Sequence, residues 1–239
     1  MSKKHLSVCI DCGHAKSTAG KRAFDESFFE YEFNRDVGQR LGHHLKRHGI
    51  SISYSCDLTV DYDESLGTRC KRANDLEADI FVSIHANAFG TDWNDANGWE
   101  IFCYGKPNKL AQCIHEESVK LGLRDRGIKD GSHLGVIKGT RMTSVLIEHG
   151  FYTNREELKK LKSPEWREKF AVADAKGILK YFGLEWVDEM NDNNKAVSSA
   201  LAKEWDEGVK LGITDGSRPH DYAKREEVVA MIVRALKLK

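Results

Sequence analysis

The sequence predicts an α/β protein, because short apolar runs alternate with longer segments of helical periodicity. The strongest short run lies at 78–88 (ADIFVSIHANA), where alternating apolar residues lead to His85 and then stop at small polar residues. The clearest helical segment lies at about 29–48, with an apolar residue every four positions. A chain of 239 residues can hold one α/β domain of roughly 180 residues and a small appendage.

Composition is that of an ordinary globular protein. Hydrophobic residues make up 40% and charged residues 31% of the chain, and Lys+Arg and Asp+Glu both number 37. This balance gives no reason to expect a nucleic acid or an anionic membrane as partner. No run approaches the roughly 20 apolar residues that a membrane helix needs, and the apolar run at 6–10 is too short for a signal-peptide core. We therefore expect the protein to accumulate in a cytoplasm.

The six cysteines are scattered along the chain without two paired CxxC motifs, so a structural zinc knuckle is not expected. Cys9 and Cys12 form one CxxC, but it lies on a predicted strand that runs into a turn and does not start a helix. We therefore expect these two residues to be buried thiols.

The first predicted strand, 6–11, places His14 in the loop just beyond its end. The long helix at about 29–48 follows, with Gly49 as its terminator and Glu30 in its first turn. A carboxylate in that position also suits the helix dipole, which is an alternative role for Glu30. Three histidines of this helix are expected to face solvent: His43, His44 and His48.

The later elements of this domain follow from the same periodicities. Glu148 stands directly after three apolar residues in the last strand, so it must be partnered, bound to metal or exposed at the strand end. The predicted strands lie at 51–55, 78–85, 99–104 and 144–154, and the predicted helices at about 63–77, 107–121 and 163–182.

The last part of the chain is expected to be a separate small unit. Residues 184–195 are rich in Asp, Glu, Asn and Lys and are interpreted as a linker between domains 1–183 and 196–239. The final segment has two amphipathic helices joined by a turn. Because so small a unit buries little core alone, it should dock or self-associate.

Four residues combine into a candidate site: His14, Glu30, His85 and Glu148. Taken alone, His85 is more often a structural residue that is satisfied by backbone hydrogen bonds. Together, two imidazoles and one carboxylate with an open fourth position are the donor set of a catalytic zinc, and a further glutamate suits a general base. The chain lacks the more specific HExxH motif, so the residues alone leave a zinc hydrolase as one of several readings.

Five motifs resemble, in order, those of the zinc-dependent N-acetylmuramoyl-L-alanine amidases of the amidase-3 family. They are DCGH at 11–14, EYEFN at 30–34, TRCKRAN at 68–74, DIFVSIHANA at 79–88 and LIEHGFYTN at 146–154. The resemblance covers residues 6 to about 182. It implies a mixed, twisted β-sheet flanked by helices, followed here by a small all-helical C-terminal module.

The resemblance also implies the site. One zinc ion per catalytic domain would be held by His14, Glu30 and His85, with Glu148 as the catalytic carboxylate. Glu30 is chosen because the family's glutamate stands four residues before an asparagine, here Asn34. Two other glutamates are fallbacks for this ligand: Glu26 and Glu32. Four residues are candidate substrate contacts: Arg69, Asn87, His133 and His149.

Each of these contacts has a simpler alternative. Arg69 could be a surface charge of its helix, Asn87 a strand cap and His149 a histidine at the rim of the site. The reaction implied is hydrolysis of the amide bond between the lactyl group of N-acetylmuramic acid and L-alanine by a zinc-activated water. Glu148 would take the proton of that water and return one to the leaving amine.

The segment after 196 resembles a single surface-layer-homology-like repeat, which implies binding to a secondary wall polymer; dimerisation through its apolar face is the competing interpretation. The expected biological role is a phage endolysin that acts on peptidoglycan after release from the host cytoplasm. Alternatives are a mother-cell or other bacterial autolysin, a zinc peptidase that cuts within the stem peptide, and a catalytically silent wall-binding protein.

Overall fold

The computed structural model describes residues 6–188 and 202–211, with 202–205 described by their backbone alone. The chain divides into two compact units, Met1–Trp186 and Val187–Lys239. This division falls inside the predicted linker, whose bounds stay a prediction because 189–201 lie outside the described residues. No helix in the described ranges is both long and apolar enough to cross a membrane.

A six-stranded mixed sheet forms the centre of the first unit, with strand order β2-β1-β3-β6-β4-β5. All neighbouring strands are parallel except β4 and β6, which are antiparallel. The predicted mixed sheet flanked by helices is thereby confirmed. The strands are β1 (Ser7–Cys12), β2 (Ser51–Tyr54), β3 (Ile80–Asn87), β4 (Trp99–Cys103), β5 (Asp125–Asp130) and β6 (Thr143–Phe151).

Helices cover both faces of the sheet. They are α1 (Glu30–Arg47), α2 (Leu66–Asp75), α3 (Lys109–Ser118), α4 (Gly135–Gly139), α5 (Arg155–Lys162) and α6 (Pro164–Phe182), with a 3-10 turn at Val119–Leu121. The larger core lies between the sheet and the layer of α1, α3 and α6. The smaller core lies against α2 and α4.

Alternation along the strands decides which side chains reach each core. In β3, Ile80, Val82 and Ile84 enter the larger core, whereas Phe81 enters the smaller one. His85 continues the Phe81 series, so its side chain lies on the α2 and α4 side. The apolar run at 78–88 therefore places its polar end, His85, on the side of the sheet that holds the smaller core.

Three elements were not predicted: strand β5 and the helices α4 and α5. The predicted helix at 63–77 is shorter than expected, because Ser65 caps it by accepting a hydrogen bond from the Thr68 amide at 3.1 Å. Leu66 is 53% and Leu76 52% exposed, so the buried face of this helix is formed by Arg69, Cys70 and Ala73. The expectation that Cys9 and Cys12 are buried thiols is confirmed.

One predicted solvent-facing histidine of α1 is buried. His44 is 3% exposed, and its Nε2 lies 2.6 Å from Glu168 Oε1 of α6. His48 donates from Nδ1 to the His44 carbonyl oxygen at 2.7 Å and stacks on Trp186 with ring centroids 5.1 Å apart. The prediction failed for His44 because the carboxylate that partners it comes from a helix 124 positions away in sequence.

The second unit is described only in part. Helix α7 (Ala202–Lys210) coincides with the first helix predicted for the tail. The second predicted tail helix and the turn before it lie outside the described residues. The resemblance to a surface-layer-homology-like repeat stays a prediction.

Candidate metal centre

Strand ends and one helix start bring the predicted ligands together. β1 ends two residues before His14, β3 carries His85 near its end, and α1 begins at Glu30. The parallel register of β3 and β6 sets Glu148 directly beside His85. Four elements that are distant in sequence thus deliver these side chains to the carboxyl-terminal end of the parallel strands.

The turn before His14 depends on a glycine. A Cβ atom on Gly13 would lie 2.0 Å from Cε1 of His85, so the backbone passes directly against that imidazole ring. The Gly13 amide donates to the Ile84 carbonyl at 3.1 Å, and its carbonyl accepts from Asn34 Nδ2 at 2.8 Å. His14 itself has a φ of 62°, a left-handed conformation that costs a non-glycine residue free energy. The chain is strained where it aims His14 at Glu30.

The three predicted ligands form a compact group. Glu30 Oε1 lies 3.0 Å from His85 Nδ1 and 3.5 Å from His14 Nε2. The two imidazole rings are 5.0 Å apart at an interplanar angle of 87°. One donor atom from each residue lies within 4.8 Å of the others. Two nitrogen donors and one carboxylate at this spacing suit a tetrahedral zinc with a fourth position left for solvent or substrate.

A buried oxygen supports this assignment. Glu30 is 1% exposed, and its Oε2 has no hydrogen-bond partner. The Lys21 Nζ lies 3.7 Å from that oxygen, too far for a hydrogen bond. Leaving a carboxylate oxygen buried without a donor costs free energy. A cation held between Glu30 and the two histidines removes that cost, so the residues present fit a metal ion.

Burial and neighbouring charges shift the pKa values of the three predicted ligands. Burial lowers the pKa of His14 to about 4 despite the opposing charge of Glu30, so the imidazole is uncharged at neutral pH. Burial would raise the pKa of Glu30, but the hydrogen bond and charge of His85 lower it below its usual value. Burial would lower the pKa of His85, yet Glu30 and Glu148 raise it. A metal ion and a proton therefore compete for the Glu30 and His85 pair.

Glu148 has the properties of a general base. Its Oε2 is buried without a hydrogen-bond partner, and burial raises the pKa of Glu148 to about 8, with the charge of His85 opposing. A carboxyl group whose pKa lies near neutrality can both accept and return a proton. Its place beside His85 puts this exchange next to the three ligands.

A cavity of about 450 Å³ opens over the group. Asn87 lines it and donates from Nδ2 to Glu100 Oε1 at 2.7 Å. Glu100, 4% exposed, is in register with Glu148 and also accepts from Arg126 Nε at 2.7 Å and from Lys129. Glu100 was not predicted, although it carries the signal that identified Glu148, a carboxylate within an apolar strand.

Arg69 lies beneath the site and not on the surface. It is 2% exposed and donates to Asp11 Oδ1 and to the Cys12 carbonyl, both at 2.8 Å, and to Asp63 Oδ1 at 2.9 Å. The surface-charge alternative was therefore wrong. Although Arg69 borders the cavity, its guanidinium is committed to protein acceptors under the His14 loop, which indicates a structural role.

His149 lies on the opposite side of the sheet from Glu148. It is 1% exposed, its Nε2 is 2.9 Å from Asp174 Oδ2, and its Nδ1 donates to the His85 carbonyl at 3.1 Å. The expectation of a rim histidine was wrong, since side chains of adjacent strand residues point to opposite faces. We therefore propose no substrate contact for His149.

The remaining predicted residues take different positions. His133 is exposed, and its ring centroid lies 6.4 Å from that of Phe102, which lines the cavity. Both fallback ligands, Glu26 and Glu32, are exposed, and Glu32 accepts a hydrogen bond from Tyr31. Neither belongs to the group that contains the two histidines.

Comparison with protein families identifies the first unit. The family described as N-acetylmuramoyl-L-alanine amidase matches residues 8–180. The chain belongs to this family. Its amidase domain is 35% identical to the N-acetylmuramoyl-L-alanine amidase LytC of Bacillus subtilis over 181 residues, which cover 73% of this chain and 35% of LytC. The chain thus spans about a third of that relative's length.

Two further relatives of the amidase domain bear on its role and fold. The endolysin of Bacillus phage SPP1 is 28% identical over 190 residues, with 74% of this chain and 66% of the endolysin covered. The crystal structure of an N-acetylmuramoyl-L-alanine amidase from Clostridium difficile 630 superimposes with a TM-score of 0.70 at 29% identity. It covers 76% of this chain and 98% of that structure.

Proposed function

We propose that this protein hydrolyses the amide bond between the lactyl group of N-acetylmuramic acid and the L-alanine of peptidoglycan. Family membership supports the reaction class. The observation that carries the proposal is the position of Glu148 beside His85, at the edge of the group formed with His14 and Glu30. A non-catalytic wall-binding protein would have no need of a buried carboxylate held next to a metal-ligand set.

Zinc is the proposed metal, held by His14, Glu30 and His85. When bound, a zinc ion supplies Lewis acidity, which polarises the scissile carbonyl and makes a water molecule acidic enough to attack it near neutral pH. The left-handed turn at His14 and the close approach of Gly13 fix the ligand directions before any metal arrives. Asn34 holds that turn through its hydrogen bond to the Gly13 carbonyl.

Proton transfer is assigned to Glu148. The carboxylate accepts a proton from the attacking water and then delivers one to the nitrogen of the leaving L-alanine, so that the amine departs neutral. Burial keeps the pKa of this carboxyl close to neutrality, which lets one group perform both steps. The buried Glu100 beside it holds Asn87 at the cavity wall, where the amide can orient the substrate.

For the biological role we propose a cell-wall-lytic endolysin that reaches the wall after release from the host cytoplasm. Its similarity to the SPP1 endolysin supports this role, whereas its similarity to LytC of Bacillus subtilis favours a bacterial autolysin. Expression in a susceptible bacterium separates the two. An endolysin lyses the cells only after the membrane is permeabilised, and an exported autolysin lyses them without that treatment.

The C-terminal segment completes the proposal. We assign it to wall-polymer binding or to dimerisation, the two roles that its sequence pattern favours. Sedimentation of the whole protein with purified walls, stripped or not stripped of secondary polymer, distinguishes them when it is combined with a measurement of mass in solution. Dimerisation predicts twice the monomer mass and sedimentation that does not depend on the polymer.

Mass spectrometry of digested peptidoglycan tests the reaction. Zinc-loaded protein should release stem peptides that begin with L-alanine and leave intact glycan strands. Chelator-treated protein and Glu148→Gln should release neither, while Glu32→Gln, which changes an exposed glutamate of the same helix as Glu30, should behave like the wild type. Cleavage between amino acids would make the protein a peptidase, and no cleavage by zinc-loaded protein on several wall types would reject the proposal.

A further inference from the structure

Three segments that leave the metal centre meet again at an exposed aromatic cluster. The loop that carries His14 continues to Phe24, the loop after β3 carries Trp93, and the chain after β6 carries Arg155. The ring centroids of Phe24 and Trp93 are 5.5 Å apart in an edge-to-face arrangement. The Arg155 guanidinium lies 4.1 Å from the Trp93 centroid. We call Phe24, Trp93 and Arg155 the aromatic platform.

Two phenylalanine rings are presented to solvent, whereas Trp93 is partly buried and packs against the larger core. Phe24 is 42% exposed, and Phe89, at the start of the loop that carries Trp93, is 66% exposed. Single exposed aromatic residues are common, but two on adjoining loops form an apolar surface that adds little to folding stability. Phe89 follows the cavity-lining Asn87 by two residues, so this surface begins close to the cavity wall. Exposed apolar surface next to a ligand cavity is typical of a site of interaction.

The loop that carries Phe89 and Trp93 is fixed by hydrogen bonds. Asn94 Nδ2 donates to the carbonyl of Phe89 at 2.6 Å and to that of Asp92 at 2.8 Å. The amides of Phe89 and Asn94 donate to the Thr153 hydroxyl and carbonyl, at 3.2 Å and 3.1 Å, which ties this loop to the segment after β6. Because the rings are ordered before a ligand arrives, binding loses less conformational entropy.

A substrate polymer has to extend beyond the cavity. The cavity volume of about 450 Å³ accommodates the groups around one scissile amide, so the polymer on either side must cross the protein surface. Resting on the proposed function, we propose that the aromatic platform and Phe89 bind the glycan strand of peptidoglycan. Aromatic rings pack against the C–H faces of pyranose rings, and the Arg155 guanidinium donates to hydroxyl and acetamido oxygens.

Binding of glycan strands from which the stem peptides have been removed tests this inference without catalysis. Wild-type protein should bind these strands, and the double variant Phe24→Ala with Phe89→Ala should bind them roughly ten times more weakly. Arg155→Gln should weaken binding by a smaller factor. Tyr104→Ala is the matched control, since Tyr104 is 62% exposed on the segment after β4 and should leave the dissociation constant unchanged.

Kinetics separate this role from a structural one. On intact sacculi the double variant should raise KM with kcat unchanged, and on a single N-acetylmuramoyl-L-alanyl peptide both constants should equal those of the wild type. The inference would be overturned by any of three results. The double variant could lose the same activity on both substrates, Tyr104→Ala could weaken glycan binding as much as the double variant does, or the wild-type protein could fail to bind stripped strands. If the double variant lost glycan binding while the wild-type protein bound glycan but cleaved no amide, the glycan-binding role of the aromatic platform would be supported. The proposed reaction would then be rejected.

Discussion

Replacing Arg69 by methionine should destabilise the amidase domain far more than a change at a surface arginine. Arg69 and Asp11 have side chains that are 3% and 2% exposed, and their closest atoms are 2.8 Å apart. Methionine fills much of the same volume but leaves the Asp11 carboxylate with only the hydroxyls of Ser55 and Ser83 as side-chain partners. A buried charge that loses its partner costs about 3 to 5 kcal/mol.

The matched control lies on the same helix. Arg72 is paired with Glu64 at 2.7 Å, but its side chain is 36% exposed. Solvent screens this pair on the Arg72 side, although Glu64 is 9% exposed and Arg72 also donates to the Ser55 carbonyl. Arg72→Met should therefore cost about 1 kcal/mol, less than Arg69→Met. Urea unfolding of the two variants beside the wild type measures both free energies, and the difference between them isolates the effect of burial.

The pH dependence of the Arg69 variant provides a second test. Burial would raise the pKa of Asp11, but Arg69 and the two serine hydroxyls hold it below its usual value. In the wild type this stabilisation is complete above the unfolded pKa of about 3.9 and is lost as pH falls through the folded value. In Arg69→Met the burial of Asp11, which raises its pKa, is no longer opposed by Arg69. The loss of unfolding free energy caused by the substitution should therefore shrink as acid protonates Asp11.

Adding Asp11→Asn to Arg69→Met should recover part of the loss, because the uncompensated charge is then gone. A loss of unfolding free energy in Arg69→Met that is no larger than the loss in Arg72→Met would show that the buried pair is not what stabilises the domain here. A loss that stayed constant from about pH 7 down to about pH 4 would lead to the same conclusion.

Three further variants probe the site and its support. Glu148→Gln should retain zinc, measured by metal analysis, yet lower kcat by roughly 10²- to 10⁴-fold; loss of the metal as well would make Glu148 a ligand. Gly13→Ala should lose zinc affinity, measured by competition with a chelating dye, since its Cβ would meet the His85 ring at 2.0 Å; wild-type affinity would show that the turn is adaptable. His149→Leu should lower the free energy of unfolding by about 1 to 3 kcal/mol, because it removes the side-chain partner of buried Asp174; an unchanged midpoint would contradict that role.

Local pattern was sufficient for the elements that carry the site. Strands β1, β3 and β6 are apolar runs that end at polar residues, and α1 has a complete apolar stripe with acidic residues in its first turn. The sequence order of these elements, together with the family's motifs, led to His14, Glu30 and His85. The structure brings the three together.

The missed features depend on contacts that sequence spacing does not reveal. Strand β5 (Asp125–Asp130) is partly exposed at the edge of the sheet and carries charges, so it has no apolar run to detect. The partners of Arg69 and His149 lie 58 and 25 positions away, at Asp11 and Asp174. A buried charged residue is recognisable only when its counter-charge is in place.

The alternation of side chains along a strand could have corrected the prediction for His149. Glu148 and His149 are neighbours, so one must face the cavity and the other the helices on the far side. Because Glu148 faces the cavity, His149 must face the helices α1 and α6. Its ring lies there between Phe33 and Phe170.

The central claim is that His14, Glu30 and His85 hold one metal ion beside Glu148. Anomalous X-ray diffraction from zinc-loaded crystals, recorded on both sides of the zinc absorption edge, tests it most directly. We expect one anomalous peak at about 2.0 to 2.2 Å from the two imidazole nitrogens and a Glu30 oxygen, with Glu148 outside the coordination sphere. A peak on other residues, or none at this position in fully loaded protein, would contradict it.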